Sequence, residues 1–247
     1  MDIIVGRNPV IEALRAGRRI NRILIENNVE KHGSIGQILQ LAKNSHIEVE
    51  YTDRHSLARY SSTGSDQGVI AFAEAKGYLH LGDLLEVSSK KGEAPFYLVL
   101  DGIEDPHNLG AILRTADATG VHGVIIRERR AVGITPTVIK ASAGAVEYVP
   151  VAHVNNISQA IITLKKNNIW VIGVDMNGKV DYTAVDFRLP TSIVIGSEGK
   201  GLTDLVVKRC DMIVSIPMKG KISSLNASVA AALVMYEAFQ QRRRATI

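Results

Sequence analysis

The feature that most constrains this chain is a short apolar run that ends in a polar, glycine-rich loop. Two such segments lie near the carboxyl terminus, IVIGSEGKGL at 193–202 and SIPMKGKISSLNASVAAALVMYE at 215–237. A segment of the same construction lies upstream, LVLDGIEDPHNLGAILRTADATG at 98–120. Because ligands bind beyond the carboxyl ends of strands in an open parallel sheet, these segments predict one composite site.

The region from Phe96 onward alternates strand patterns with helical patterns. The predicted strands are FYLVLD, HGVII, VEYVPV, IWVIGVD, SIVIG and MIVSI. Nearly continuous apolar strands between helices are typical of a mostly parallel sheet that is covered on both faces. The fold class is therefore predicted to be α/β, and Trp170, inside one of these strands, is expected to pack in the core.

The region 1–75 has the pattern of a separate, smaller α/β unit. Its predicted strands lie at 22–26, 47–51 and 68–73, with helices around 8–16 and 34–44. Apart from one short amphipathic piece, the polar stretch 76–95 lacks sustained periodicity, and it is predicted to be a linker. We therefore expect a small amino-terminal domain at 1–75, which should fold alone, and a larger domain at 96–247.

Composition narrows the class of protein. No run of about 18 apolar residues occurs, and the amino terminus lacks a basic stretch followed by an apolar one, so a soluble, cytoplasmic protein is expected. The single cysteine, Cys210, excludes an internal disulfide and a multi-cysteine metal site. The net charge of +4 is a weak nucleic-acid signal, and arginine clusters at 127–130 and 242–244 are either solvated surface or polyanion contacts.

The three loop segments resemble, in order and spacing, the three motifs of the SpoU (TrmH) branch of the SPOUT methyltransferases, which methylate ribose 2′-hydroxyls in RNA. The matching residues are Asn108 and Arg114 in the first motif, Gly196, Glu198 and Gly199 in the second, and Pro217, Ser224, Leu225 and Asn226 in the third. The stretches 6–14 and 64–71 also resemble the amino-terminal substrate-binding domain of the members that act on ribosomal RNA.

The resemblance implies S-adenosylmethionine as the cofactor, held mainly by backbone groups, and no metal. The implied cofactor-binding residues are Val174, Gly196, Gly199, Ile216, Met218 and Leu225. The implied catalytic residues are Arg114, Asn108, Glu198, Ser224 and Asn226. The resemblance also implies a trefoil knot in the carboxyl-terminal segments of the catalytic domain, 96–247, and a homodimer.

Arg114 is the candidate for activating the ribose hydroxyl. Since a guanidinium is essentially never deprotonated in proteins, stabilisation of the alkoxide and clamping of a phosphate are preferred to a role as base. Asn108 is a candidate helix cap, ribose ligand or partner of Arg114, and Glu198 is expected to orient the arginine or a hydroxyl. Structural alternatives remain: a surface position for Arg114, and a helix cap at Ser223 or Ser224.

The final helix pattern carries an apolar stripe of Leu225, Val229, Leu233 and Tyr236, and much of its remaining surface is small or apolar too. A helix that is apolar on nearly all sides must be buried on nearly all sides. This pattern therefore favours a two-fold dimer through the catalytic domain.

The leading prediction is a methyltransferase that acts on a guanosine ribose in the peptidyl-transferase P loop of 23S ribosomal RNA. Transfer RNA is the alternative substrate, although relatives that modify it generally lack a separate amino-terminal domain. A non-catalytic RNA-binding assembly factor is an alternative of another class. A nucleotide-dependent enzyme is disfavoured, because GSEGKGL has neither common phosphate-loop spacing.

Overall fold

The computed structural model describes residues 1–60, 66–222 and 224–245, and these form two compact units. The first unit contains Met1–Gly77 together with Ile134–Tyr148, and the second contains the other described residues. The second part of the first unit was not expected, because the predicted boundary lay at residue 75 and nothing local in the sequence marks 134–148 as part of the amino-terminal unit.

The first unit is built on a four-stranded mixed sheet in the order β1-β4-β2-β3. Its strands are β1 (Asp2–Val5), β2 (Ile20–Glu26), β3 (Glu48–Thr52) and β4 (Val69–Ala73). Its helices are α1 (Arg7–Arg15), α2 (Ser34–Asn44), α3 (Arg54–Ala58) and α6 (Pro136–Ala141). The three predicted strands and two predicted helices are confirmed within two residues, whereas β1 was missed because four residues are too few to show a period.

A polar cluster holds the segment 134–148 in the first unit. Arg18 donates to Asp2 and, at 2.6 Å, to the carboxylate of Glu147. The Tyr148 hydroxyl donates to Glu12 at 2.6 Å, and Lys76 lies 3.8 Å from Glu147. These contacts, formed between residues far apart in sequence, explain why 134–148 groups with the amino-terminal strands.

The second unit is built on a seven-stranded sheet in the order β7-β6-β5-β10-β8-β11-β9, with every neighbouring pair parallel. The strands are β5 (Phe96–Asp101), β6 (Gly123–Arg127), β7 (Val151–Val154), β8 (Trp170–Val174), β9 (Val180–Asp181), β10 (Thr191–Gly196) and β11 (Met212–Ser215). The helices are α4 (Leu81–Lys91), α5 (Pro106–Ala118), α7 (Ile157–Lys166), α8 (Asp204–Arg209) and α9 (Ala227–Ala245). The predicted α/β class and parallel sheet are confirmed.

The helices of the second unit divide between the two faces of its sheet. Residues of α4, α7 and α8 share one buried cluster with Tyr97, Val99 and Val194 of the sheet. Helices α5 and α9 pack against each other, with α5 against β6 and α9 against β10. After forming the edge strand β9, the chain returns to place β10 between β5 and β8. The trefoil knot implied by the family resemblance stays a prediction.

The predicted linker contains α4, whose Leu84 is fully buried and packs against Gly123, where an added Cβ would lie 2.3 Å from a Leu84 methyl carbon. Two local expectations beyond this segment were wrong. The predicted strand VEYVPV begins instead at Val151, since 145–147 form a 3₁₀ turn. Trp170 is 50% exposed rather than buried, because it is the first residue of β8.

Among the described residues, no helix combines the length and the apolar character that crossing a membrane requires.

Candidate active site

A cavity of about 540 Å³ opens at the carboxyl ends of β8, β10 and β11. The structure brings most of the predicted cofactor and catalytic positions to its wall. Those that line it are Val174, Gly196, Glu198, Gly199, Ile216, Met218, Ser224 and Leu225. The cavity therefore lies where loops from the second and third motifs meet, as expected for strands that end at one edge of a parallel sheet.

The loop after β10 requires glycine for close packing of its own backbone. Ser197 and Gly201 exchange two backbone hydrogen bonds, of 3.1 and 3.0 Å, so the intervening residues form a tight hairpin. A Cβ on Gly196 would lie 2.2 Å from the carbonyl carbon of Gly201. Gly199, at the tip, has a φ of +76° that side chains with a Cβ rarely adopt. The second motif is thus a backbone wall of the cavity.

Asp175 joins the loop after β8 to the loop after β10. Its carboxylate accepts hydrogen bonds from the backbone and side-chain amides of Asn177 at 2.9 Å, and from the Leu202 backbone at 3.4 Å. Both Asp175 and Asn177 line the cavity. Asp175 ends the predicted strand IWVIGVD, and an acidic residue at that place was a signal for a site role that the prediction did not use.

Asn108, Glu198 and Asn226 form one hydrogen-bonded network that joins the three motifs. The side-chain amides of Asn108 and Asn226 both donate to Glu198 Oε1, each at 2.6 Å. Asn226 Nδ2 also lies 3.0 Å from Asn108 Oδ1. No described residue donates to Glu198 Oε2, so that oxygen is available to accept a hydrogen bond from a ligand.

Each asparagine of this network is oriented by the start of a helix. Asp105, not Asn108, caps α5, because its side chain accepts from the His107 backbone at 2.9 Å. Asn108 is therefore free to face the network, and it is 5% exposed. Asn226 caps α9 by accepting from the backbone of Ser228 at 2.9 Å and of Val229 at 3.3 Å.

The predicted serine caps of the final helix are therefore replaced by Asn226. Helix α9 begins at Ala227, and the carbonyl oxygen of the Asn226 side chain already receives the backbone donors of its first turn. Ser224 instead lines the cavity. Ser223 lies outside the residues that the structure describes, as do residues 64 and 65 of the amino-terminal motif.

Arg114 lies outside this network. It is exposed on α5, six residues beyond Asn108, which places it about 120° around the helix axis from that residue. It does not line the cavity, and it makes no hydrogen bond or ion pair with a described residue. The guanidinium is thus available to a bound polyanion, and its assignment to the chemistry stays a prediction.

Asp101 anchors the residue that follows the second-motif loop. This buried carboxylate, at the carboxyl end of β5, accepts from the backbone of Thr203 at 3.0 Å and from its hydroxyl at 2.9 Å. Arg127 Nη2 lies 3.9 Å from it. Asp101 therefore fixes the point where the second-motif loop enters α8, a role that sequence reasoning missed because the partners are distant in sequence.

Other titratable and basic groups have structural roles. Burial raises the pKa of the Cys210 thiol to about 12, so it stays protonated and unreactive. Arg242, in one of the arginine clusters, donates to the backbone carbonyls of Ala94, Pro95 and Leu189. Within the described part of the chain, no three His, Cys, Asp or Glu side chains are grouped to hold a metal ion.

Comparison with known proteins gives matches along the whole chain. Residues 95–236 match the SpoU rRNA Methylase family, and residues 3–79 match a family of RNA 2′-O ribose methyltransferase substrate-binding domains. YacO of Bacillus subtilis strain 168, assigned to the TrmH family of tRNA/rRNA methyltransferases, is 46% identical over 241 residues. That match covers 98% of this chain and 96% of YacO.

Two solved structures are also similar. The AdoMet-bound rRNA methyltransferase of Sinorhizobium meliloti is 25% identical with a TM-score of 0.80, covering 100% of this chain and 88% of its own. The TrmH/SpoU tRNA modifying enzyme of A. aeolicus is 29% identical with a TM-score of 0.57, covering 67% of this chain and 84% of its own. The chain therefore belongs to the SpoU (TrmH) family of S-adenosylmethionine-dependent RNA 2′-O-ribose methyltransferases.

Proposed function

We propose that this protein transfers a methyl group from S-adenosylmethionine to the ribose 2′-hydroxyl of a guanosine in the peptidyl-transferase P loop of 23S ribosomal RNA. The observation that carries the reaction type is the network of Asn108, Glu198 and Asn226 beside the cavity. It joins all three motif loops and leaves one carboxylate oxygen available to a hydroxyl.

The cavity suits S-adenosylmethionine. Its volume of about 540 Å³ lies within the range of roughly 300–1,000 Å³ typical of small-molecule sites. Ile195, Ile216 and Leu225 give it apolar wall for an adenine ring, and Asp175 and Glu198 give it carboxylates. Carboxylates suit a sulfonium cation and ribose hydroxyls, and they would repel the phosphates of a nucleotide. When bound, the cofactor supplies an electrophilic methyl group.

The chain's own task is to position the ribose and to stabilise the charge that develops on its oxygen. We assign Glu198 Oε2 to accept the hydrogen bond of the 2′-hydroxyl, with Asn108 and Asn226 holding the carboxylate in place. We assign Arg114 to stabilise the alkoxide and an adjacent phosphate when RNA is bound. Its lack of a partner among the described residues supports this assignment, because no internal contact has to break.

The amino-terminal unit favours ribosomal over transfer RNA. Residues 3–79 match a substrate-binding family, and the ribosomal RNA methyltransferase of Sinorhizobium meliloti matches the chain from end to end. The A. aeolicus tRNA modifying enzyme matches 67% of it. A larger RNA surface is the expected use of an added domain. The choice of guanosine and of the P loop rests on the family resemblance described above.

We also propose that the enzyme is a homodimer through the catalytic domain. Helix α9 buries Ala231, Val234, Met235 and Ala238 against its own unit, yet its predicted apolar stripe remains exposed. Its exposed members are Val229, Leu233 and Tyr236 on the helix and Leu225 two residues before it, between 36% and 46% exposed. Large apolar side chains grouped on one helix are typical of an interface, and a second copy is the proposed occupant.

The function is tested by mapping 2′-O-methyl groups in ribosomal and transfer RNA from cells with and without the protein. Loss of one methyl group from 23S ribosomal RNA is the expected result. Loss from a transfer RNA would overturn the substrate assignment alone. RNA binding by the purified protein without methyl transfer to any RNA would favour the non-catalytic assembly factor.

A further inference from the structure

Two helices of the second unit begin with the same three-residue pattern. Helix α7 is preceded by Asn156, with Ser158 as its second residue, and α9 is preceded by Asn226, with Ser228 as its second residue. In both, the asparagine side-chain oxygen accepts from the backbone of the first turn, at 3.2 Å from Gln159 in α7 and at 2.9 Å from Ser228 in α9. In this Asn-X-Ser pattern, hydrogen bonds from the backbone N–H groups are therefore sufficient to cap the helix.

The serine hydroxyls differ between the two helix starts. Ser228 Oγ donates to Asn226 Oδ1 at 2.6 Å. Between the described atoms of Ser158 and Asn156 there is no corresponding bond. The Ser228 hydroxyl is thus an addition to a cap that is already complete, and it occurs at the helix start whose asparagine belongs to the Glu198 network.

The added donor restrains the Asn226 amide in the orientation that the helix cap selects. Its oxygen receives three donors, from the Ser228 hydroxyl and the backbone of Ser228 and Val229. Its nitrogen donates to Glu198 Oε1 and Asn108 Oδ1. A reversed amide would place its NH₂ against the two backbone N–H groups and its oxygen against the Glu198 carboxylate, and it would lose the hydrogen bond that Ser228 Oγ donates in the observed orientation.

We infer that Ser228 is a positioning residue for the methyl-transfer site: its hydroxyl holds the Asn226 amide in the one orientation that donates to Glu198. The expected effect of Ser228 on turnover rests on the proposed function, whereas its expected effect on the orientation of the Asn226 amide rests on geometry alone. Ser228 acts through Asn226 and does not line the cavity.

The first test follows the Asn226 side-chain NH₂ by nuclear magnetic resonance, with the signals assigned by their loss in Asn226→Asp. Hydrogen exchange of this NH₂ should be slow in the native protein and in Ser228→Thr, and faster in Ser228→Ala. The matched control, Ser158→Ala, should leave it unchanged. Equal exchange in Ser228→Ala and the native protein would overturn the inference, whatever reaction the protein catalyses.

The second test measures methyl transfer to RNA. Ser228→Ala should lower turnover by about five- to tenfold, the effect of one net hydrogen bond, with S-adenosylhomocysteine affinity and the KM for RNA unchanged. Ser228→Thr should restore turnover, and Ser158→Ala should keep it. A fall in turnover that Ser228→Thr fails to restore, or that comes with an equal loss of cofactor affinity, contradicts a positioning role.

Absence of methyl transfer by the native protein on every RNA tested would reject the proposed function, while the exchange experiment still decides the inference.

Discussion

Asn226 donates its side-chain amide to Glu198 at 2.6 Å while its side-chain oxygen caps α9. One residue therefore serves the stability of a helix with one end of its amide and the orientation of a carboxylate with the other. Substitutions that affect the two ends differently can separate folding from chemistry.

Asn226→Asp should keep the cap of α9 and lose most of the methyl-transfer activity. Aspartate caps helices as well as asparagine does, so the cap should be kept and the unfolding free energy, measured at high salt to screen the new repulsion from Glu198, should fall by less than in Asn226→Ala. The new carboxylate cannot donate to Glu198 and repels it, so turnover should fall at least about a hundredfold. Asn226→Ala should lose both properties, with a stability loss of about 1 kcal/mol. Urea unfolding and methyl-transfer kinetics measure the two effects; near-native turnover of Asn226→Asp would remove the network from the mechanism.

Arg114→Ala should lower turnover at least about a hundredfold, the scale of removing one group that stabilises a transition state. Cofactor affinity, measured by calorimetry, should stay the same, because Arg114 does not line the cavity. Arg114→Lys should not restore turnover, since an ammonium cannot reproduce a planar, bidentate clamp. Native turnover in Arg114→Ala would show that Arg114 is a surface residue with no role in the reaction.

Gly196→Ala should abolish cofactor binding while Gly199→Ala only weakens it. The Cβ at position 196 would lie 2.2 Å from backbone that cannot give way without opening the hairpin, whereas no atom lies within 4 Å of a Cβ at position 199. The cost at Gly199 is confined to its positive φ. Calorimetry with S-adenosylhomocysteine tests this order, and equal affinities of the two variants would show that the hairpin does not form the cofactor wall.

The stability of the second unit should fall as pH decreases from 7.5 to 5.5. Burial lowers the pKa of His122, against the opposing effect of Glu93, and its Nδ1 accepts from the Phe96 backbone at 3.1 Å. The unfolded chain then binds the proton first, so folding loses at most about 1.4 kcal/mol per pH unit from this residue. His122→Asn keeps an acceptor without a titrating ring and should flatten the dependence. Urea midpoints across this pH range provide the measurement.

Light scattering at micromolar concentration should give twice the 26.8 kDa mass of the chain. Leu233→Asp should yield a folded monomer, because Leu233 is 39% exposed, while Val234 is fully buried and a charge there would unfold the unit. Thr163→Asp, on a surface of α7, is a control that should remain dimeric. A native mass near 26.8 kDa would refute the dimer.

The sequence predicted those features that are encoded locally. Strands such as β5 and β10 contain continuous apolar runs, and Gly196 ends β10 while Gly199 lies three residues beyond it. Their position at one edge of a parallel sheet then follows from topology. Contacts between distant residues left no such pattern, so the partners of Asp101 and the capping role of Asn226 appeared only in the structure. Trp170 shows the same limit, because hydrophobicity predicts burial but not which end of a strand reaches solvent.

The ion pair of Arg18 with Glu147 joins residues separated by 129 positions, and it lies within the first unit. During synthesis the amino-terminal strands leave the ribosome long before their last partner does. The unit therefore cannot reach its final form until β6 and the chain after it have been made. A fragment that stops at residue 77 leaves Arg18 and Lys76 without that carboxylate, so it should be less stable than the complete unit, which is not continuous in the gene. Fusions and truncations of this protein should follow the spatial boundary rather than the linear one.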